Sequence, residues 1–232
     1  MRSLPHLTAR AWFGLGVFVA LLAVSLAARW LAPHDPLEQD LLAAGLPPAW
    51  AADGDWSHPF GTDTLGRDIL SRLVYGARPA MIVALAGASL AGLAGTFLGL
   101  LAGFHGGFVD ALISRAVDVW MSFPAVLLAI VLVAVIGTGL TSVVLAIAII
   151  DWTRFCRVVR AETQAQARLD YVQSARVIGL TPARTLLREV LPNVAPLLLT
   201  LFTLEMGIAV VVEAILSFVG LSLSSDTPTW GG

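Results

Sequence analysis

Apolar runs of membrane-crossing length recur along this chain, and they decide what it can fold into. They cover residues 11–28, 80–103, 117–136, 140–155 and 197–219. The first, closed by Arg29 and Trp30, is about 27 Å long as a helix, enough to cross a hydrocarbon core of about 30 Å with its flanks. A backbone in lipid must satisfy its own polar groups, so the spans are predicted to be helices. Only 13% of the residues are charged and 57% are hydrophobic, too apolar for a surface facing water. The expected class is an all-α integral membrane protein, a polytopic helical bundle with five spans visible. Arg2 and Arg10 precede the first run, which is too long for a cleaved signal and reads as a retained span.

Every one of the 14 basic residues is Arg; there is no Lys. A phosphate-binding ATPase loop and a Schiff-base enzyme each need a lysine, so ATP-driven work would need a separate subunit. Cys156 is the only cysteine, which excludes an internal disulfide. His6, His34, His58 and His105 are scattered without metal-ligand spacing. They are expected to be ordinary loop histidines, with no metal site, no cofactor and no catalytic residue. A net charge of −2 says nothing useful about nucleic acid, and no nucleic-acid partner is expected.

Arginine distribution orients the spans. Residues 33–79 hold three Arg against seven acidic residues, whereas 153–196 hold seven Arg against Glu162, Asp170 and Glu189. The second stretch is therefore predicted to be cytoplasmic, the 33–79 loop extracytoplasmic and the N-terminus cytoplasmic. Three regions follow: an N-terminal span over 1–32, the 33–79 outer loop, and a core over 80–232 with an inner loop at 157–196. Within the outer loop Leu65, Ile69, Leu70, Leu73 and Val74 fall at helical spacing opposite Arg67, Asp68, Ser71 and Arg72. They predict a short amphipathic helix on the membrane surface.

Inside the spans two features stand out. Gly87, Ala91, Gly95, Gly99 and Gly103 repeat every four residues, a ridge of small side chains up one helix face. Packing within the chain is the plain reading, and a subunit interface or pore wall the sharper one. Glu205 and Glu213 lie in the last span. A carboxyl group in hydrocarbon must face the bundle interior or a polar cavity. Helix-end pairing or a structural hydrogen bond is preferred to a proton relay, because Asp118 and Asp151 lie near the predicted membrane edges.

The inner loop reads as two helices with a break. Residues 170–178 are helical, Gly179 suits a left-handed C-terminal cap, and Thr181-Pro182 suits an N-cap and first helical position. The second helix runs toward Leu191, with Pro192 ending or kinking it. The result is a compact knob.

These residues resemble a family. Asp170 to Arg176, then Gly179, then Leu191-Pro192-Asn193, is similar to the "EAA" loop of binding-protein-dependent ABC importer permeases, with Gln173-Ser174 in place of Glu-Ala before Ala175. His58 to Asp63 with Gly66-Arg67-Asp68 and Ser71-Arg72 resembles the outer segment of peptide and nickel permeases. Trp152 with Arg157 and Arg160, and Glu213-Ala214 with Leu216 to Phe218 and Gly220-Leu221, resemble their fourth and fifth spans. The set is similar to the C-type membrane subunit of dipeptide, oligopeptide and nickel importers.

The resemblance implies the type I ABC importer permease fold in a bacterial inner membrane. It implies a second permease subunit, forming a heterodimer, with two ATPase subunits and an extracytoplasmic solute-binding protein, all in contact with membrane lipid. Gln173, Ser174, Ala175, Gly179, Leu191 and Pro192 would form the ATPase-coupling loop. The cargo would be peptides or a related small solute such as a nickel chelate or glutathione. Family members carry a sixth span after a Pro-x-Trp-Gly segment, and here the sequence stops at Thr229-Trp230-Gly231-Gly232. Either the chain is truncated or this member ends early. The alternative function is a secondary transporter or channel with no ATPase partner.

Overall fold

The structure, a computed structural model, describes residues 8–224 and 226–232; Arg2 and His6 lie outside them. It is all-α. The only β feature among the described residues is an isolated bridge between Thr62 and Asp68. The helices are α1 (Ala9–Leu31), α2 (Ile69–His105), α3 (Gly107–Met121), α4 (Ala125–Ile136), α5 (Leu140–Ala167), α6 (Asp170–Val177), α7 (Pro182–Thr185) and α8 (Leu191–Phe218), with a π-turn at Leu186–Val190 between the last two. The chain divides into two compact units: one runs to Met81 and includes Leu223–Gly232, and the other is Ile82–Ser222.

In the first unit α1 is capped by the Thr8 side chain, which accepts from the Ala11 amide. It is fixed near its end, where Arg78 Nε donates to the Ser25 carbonyl at 3.0 Å. Most of its surface, including Trp12 and Phe13, is exposed, as a helix facing lipid or a partner subunit requires. The 62–68 segment is a tight loop rather than the start of a helix. Gly61 and Gly66 have φ of +78° and +75°. A Cβ on Gly66 would overlap the Asp40 carbonyl, so the backbone of residue 40 leaves room only for glycine. Asp68 then takes the Ser71 amide at 2.7 Å, an N-cap bond. From Ile69 the helix continues unbroken into the apolar run, with Pro79 inside it. The predicted separate surface helix is thus the first turns of α2, because nothing after Val74 terminates the helix.

In the second unit the core lies between α4, α5 and α8, around Val83, Ala129, Val133, Val143, Ile147, Ala209 and Leu216. The predicted third span over 117–136 is broken. α3 and α4 meet at 87°, and Pro124 is the N-cap of α4. Pro124 cannot donate to a continuing helix and drives Phe123 away from helical dihedrals. α4 alone is about 18 Å long. The α4–α5 turn uses Gly137 and Gly139 at φ +106° and +138°, and the Gly139 amide donates to the Ser222 carbonyl at 2.7 Å.

By length and composition, three helical runs among the described residues can cross a membrane: α1, α2 and the continuous stretch Pro182–Phe218; the bent α3–α4 pair makes a fourth if it counts as one span. α5, the predicted fourth span, is not among them, because Asp151, Arg154 and Arg157 interrupt its apolar run. Pro192 does not end the last helix. The preceding turn widens to π geometry, with the Leu191 amide donating to the Leu186 carbonyl five residues back. That turn accommodates a proline which cannot make the next bond.

Candidate functional site

The 157–196 loop is built on three kinds of local signal. Asp170 stands in the first turn of α6 and Arg176 in its last, each favourable against the helix dipole. Gly179, at φ +91°, closes α6 with both bonds of a Schellman motif: its amide donates to Arg176 O at 3.0 Å and the Leu180 amide to Ala175 O at 3.1 Å. Thr181 is extended and Pro182 opens α7. The two arms of the loop close on one another. Val172 of α6 packs with Leu186, Val190 and Val194 against Leu100 of α2 and Val159 of α5, and Leu191 joins at the edge. Asn193 Nδ2 donates to the Tyr171 hydroxyl at 3.1 Å, and that hydroxyl donates to Gln166 Oε1 at 2.6 Å. The Arg176 guanidinium lies 4.8 Å from the Phe104 ring centre.

Of the predicted loop residues, Ala175 is buried, Leu191 is half-buried, and Gln173, Ser174, Gly179 and Pro192 are exposed. Gln173 Nε2 donates to the Ala167 carbonyl at 2.7 Å, so an amide here stitches α6 to the end of α5. Sequence reading missed the apolar tip. Val177 and Ile178 are 89% and 78% exposed, and Leu187 is exposed beside them in sequence across the turn. Uncovered aliphatic side chains at the end of a well-capped helix suit a protein partner.

The small-residue ridge faces α5. A Cβ on Gly99 would come within 2.8 Å of the Cys156 carbonyl, and one on Gly103 within 2.7 Å of the Arg160 carbonyl. Ala91 is fully buried. Alongside, Arg160 grips Asp110 of α3 with both Nε and Nη2, the latter at 2.7 Å, and Arg157 Nη2 reaches Asp118 at 3.3 Å.

The two acids of the last predicted span differ. Arg154 Nη1 of α5 lies 3.3 and 3.4 Å from the two Glu205 oxygens, while its Nε stands 3.7 Å from Asp151. Asp151, read from sequence as lying near a predicted membrane edge, is 4% exposed and shares one arginine with Glu205. Glu213 is fully buried; the Ser222 hydroxyl donates to its Oε1 at 3.0 Å, and its Oε2 has no partner among the described residues. Breaking the Arg154–Glu205 pair strands a charge inside the bundle. Because Arg154 is partly exposed, the expected coupling in a double-mutant cycle of Arg154→Met and Glu205→Leu is about 1–3 kcal/mol, below the fully buried case. Thermal unfolding of the four purified variants measures it, and a coupling near zero removes this pair as a tie between α5 and α8.

In the 33–79 loop, Asp63 organises its own turn. Its carboxylate accepts from the Leu65 and Arg67 amides at 2.9 and 3.0 Å and from Arg67 Nε at 2.7 Å. Burial pushes this carboxyl up, but the two amides and the guanidinium outweigh it and hold it below its ordinary range. His34 and His58, expected to be unrelated loop residues, stack with ring centres 4.6 Å apart beside Asp68. Their 24-residue separation follows no metal-ligand spacing, so only the folded loop reveals the pair.

Comparison with known proteins agrees with this architecture. Residues 95–231 match the model of the family described as binding-protein-dependent transport system inner membrane component. Residues 9–48 match the N-terminal TM domain of oligopeptide transport permease C. The chain is similar to a di/tripeptide transport system permease protein of Pseudomonas aeruginosa, 38% identical over 220 residues, covering 94% of this chain and 72% of that protein. A dipeptide transport system permease protein of Haemophilus influenzae is 36% identical over 216 residues, covering 93% and 73%. A glutathione transport system permease protein of Pectobacterium atrosepticum is 37% identical over 220 residues, covering 93% and 70%. The chain therefore belongs to the binding-protein-dependent transport system inner membrane component family, as a permease subunit of an ATP-binding-cassette importer whose ATP hydrolysis resides in a separate subunit.

Proposed function

We propose that this permease carries peptides or a related small solute such as glutathione, handed over by an extracytoplasmic binding protein, with a second permease subunit and two ATPase subunits completing the importer. The cargo class rests on the likeness to di/tripeptide, dipeptide and glutathione permeases. That family membership leaves the alternative of a channel or secondary transporter without support. The observation that carries the coupling role is the capped α6 with Val177 and Ile178 uncovered at its tip. Gln173, Ser174, Ala175 and Gly179 form the ATPase-facing arm, and Leu191 and Pro192 begin the helix that receives its movement. ATPase closure then displaces α6, the shared core around Val172 and Val190 transmits the shift to α2, α5 and α8, and access alternates between the two faces of the membrane.

Orientation follows from the same reading. Residues 33–79 lie outside, residues 157–196 and the N-terminus inside, and the 80–232 region forms the permease core. Single cysteines at Thr64 and Arg168, both exposed, test this in a Cys156→Ser background; Cys156 itself is buried. In intact cells a membrane-impermeant maleimide is expected to label position 64 and to reach 168 only after the membrane is opened. Labelling of 168 from outside reverses the orientation. A photo-crosslinker at Thr64 is expected to capture the binding protein, and capture of the ATPase alone overturns that partner assignment.

A further inference from the structure

Three separate stretches of the first unit converge on one buried carboxylate. Asp68 has a side chain 1% exposed, and His58 Nδ1 lies 3.1 Å from its Oδ1 and His34 Nδ1 4.0 Å from its Oδ2. One donor atom from each of the three residues falls within 4.8 Å of the others. The backbones that carry them are already fixed. The His34 amide donates to Ser71 Oγ at 3.0 Å, the His58 amide donates to Asp55 O at 3.1 Å, and Asp68 sits in the β-bridge with Thr62.

Helix capping explains only part of this arrangement. Asp68 Oδ2 takes the Ser71 amide and Oδ1 takes His58, but each oxygen keeps a second lone pair. His34 Nδ1 is buried and has no hydrogen-bond partner among the described residues. A buried ring nitrogen without a partner is costly, and it points toward the same carboxylate. We propose that His34, His58 and Asp68 form a binding site for a divalent cation of the Zn²⁺ class, tying the end of α1 to the start of α2.

Two imidazoles and one carboxylate are the donor set that borderline cations such as Zn²⁺ accept, and Mg²⁺ or Ca²⁺, which take oxygen ligands, do not fit it. Bonds of about 2.0–2.2 Å to a tetrahedral ion place its ligands roughly 3.4 Å apart. His58 Nδ1 stands 3.1 Å from Asp68 Oδ1 and His34 Nδ1 4.0 Å from Asp68 Oδ2, and one donor atom from each residue lies within 4.8 Å of the others, so binding draws the wider pairs in by side-chain rotation. Ligation through Nδ1 requires the His58 ring proton to sit on Nε2. His34 and His58 have side chains 34% and 17% exposed, which admits water as a fourth ligand.

The test uses the full chain, purified in detergent without a histidine tag, loaded with Zn²⁺ and then desalted. Metal content and the visible spectrum of the Co²⁺-substituted protein are the readouts. The expected result is one Zn²⁺ per chain, a tetrahedral Co²⁺ spectrum, and an affinity weakened on the order of 100-fold or more in His34→Ala. His34→Gln serves if the alanine variant is not monodisperse. The metal-free His34→Gln variant is expected to melt close to the metal-free wild type, since the lost Nδ1 has no partner among the described residues, and His105→Ala is expected to bind normally. Wild-type protein that retains only traces of zinc overturns the proposal, as does full zinc retention by the His34 variants. The readout is binding, so either failure leaves the permease assignment standing.

Discussion

Gly95→Ala is expected to prevent α2 from seating on α5. An ideal Cβ at this position overlaps the Trp152 carbonyl and stands 2.5 Å from Phe155 Cβ and 2.9 Å from the Cys156 amide nitrogen. Two of these three are backbone atoms, so no rotamer change relieves the contact. Phe155 and Cys156 are themselves buried and have nowhere to retreat. Overpacking of this kind costs about 1–3 kcal/mol in soluble cores and more when backbone must shift, against at most about 1 kcal/mol returned by replacing a helical glycine with alanine. Gly87 makes the comparison. Its added Cβ meets only the Ile147 side chain, nearest at the Cγ2 methyl at 3.1 Å, a group that can move. Gly87→Ala is therefore expected to hold wild-type stability within about 1 kcal/mol, while Gly95→Ala lowers the melting temperature and the monodisperse fraction on size exclusion. Equal behaviour of the two variants means that the ridge does not hold α2 against α5.

Signals confined to a few neighbouring residues are legible in the sequence itself. Gly179 as a left-handed cap, Thr181-Pro182 as a helix start and the four-residue glycine period each report local geometry. In the fold, α6 closes on Gly179, α7 opens at Pro182, and the glycines of the period face α5. The break at Pro124 is a different case, because a proline inside an apolar run is equally compatible with a kinked span; the choice depends on what packs around it. The surface helix fails for a related reason. Its amphipathic pattern is real, but Leu65 and Arg67 are held by the Asp63 side chain and Asp68 caps the helix at Ser71, and the pattern continues into α2 with no terminator. The groups that meet only through folding leave no trace in spacing. Arg154 and Glu205 are 51 residues apart, and Tyr171 meets Asn193 across the whole knob. Leu186 to Val190 shows the limit at finer scale: Pro192 announces a disturbance, and the widened π-turn that absorbs it depends on α8 having a fixed place in the core.

Gly179→Val is expected to separate membrane assembly from energy coupling. No atom lies within 4 Å of a Cβ added at Gly179, so the valine side chain has room. The penalty is in the backbone: φ is +91°, and a β-branched residue there costs about 1–2 kcal/mol or more. The chain relieves the strain by giving up the two cap bonds to Arg176 O and Ala175 O. That frees α6, eight residues long, to change its angle to α7 and to carry Val177 and Ile178 out of the place that the proposed coupling requires. A loss of this size lowers the population of the docking-competent loop by about 5–30-fold. Transport and binding-protein-stimulated ATP hydrolysis in reconstituted vesicles are expected to fall together by a similar factor, with normal insertion and complex assembly. Gly179→Asn tolerates the left-handed region and is expected to keep most of both activities. Arg168→Ala changes a residue before α6 that lies outside its cap and is expected to change neither. Gln173→Glu loses the bond to the Ala167 carbonyl but leaves the cap intact, and is expected to remain coupled. Full coupled ATPase activity in a well-assembled Gly179→Val complex would show that the knob is not the coupling element, and the arginines of 157–196 would then serve topology alone.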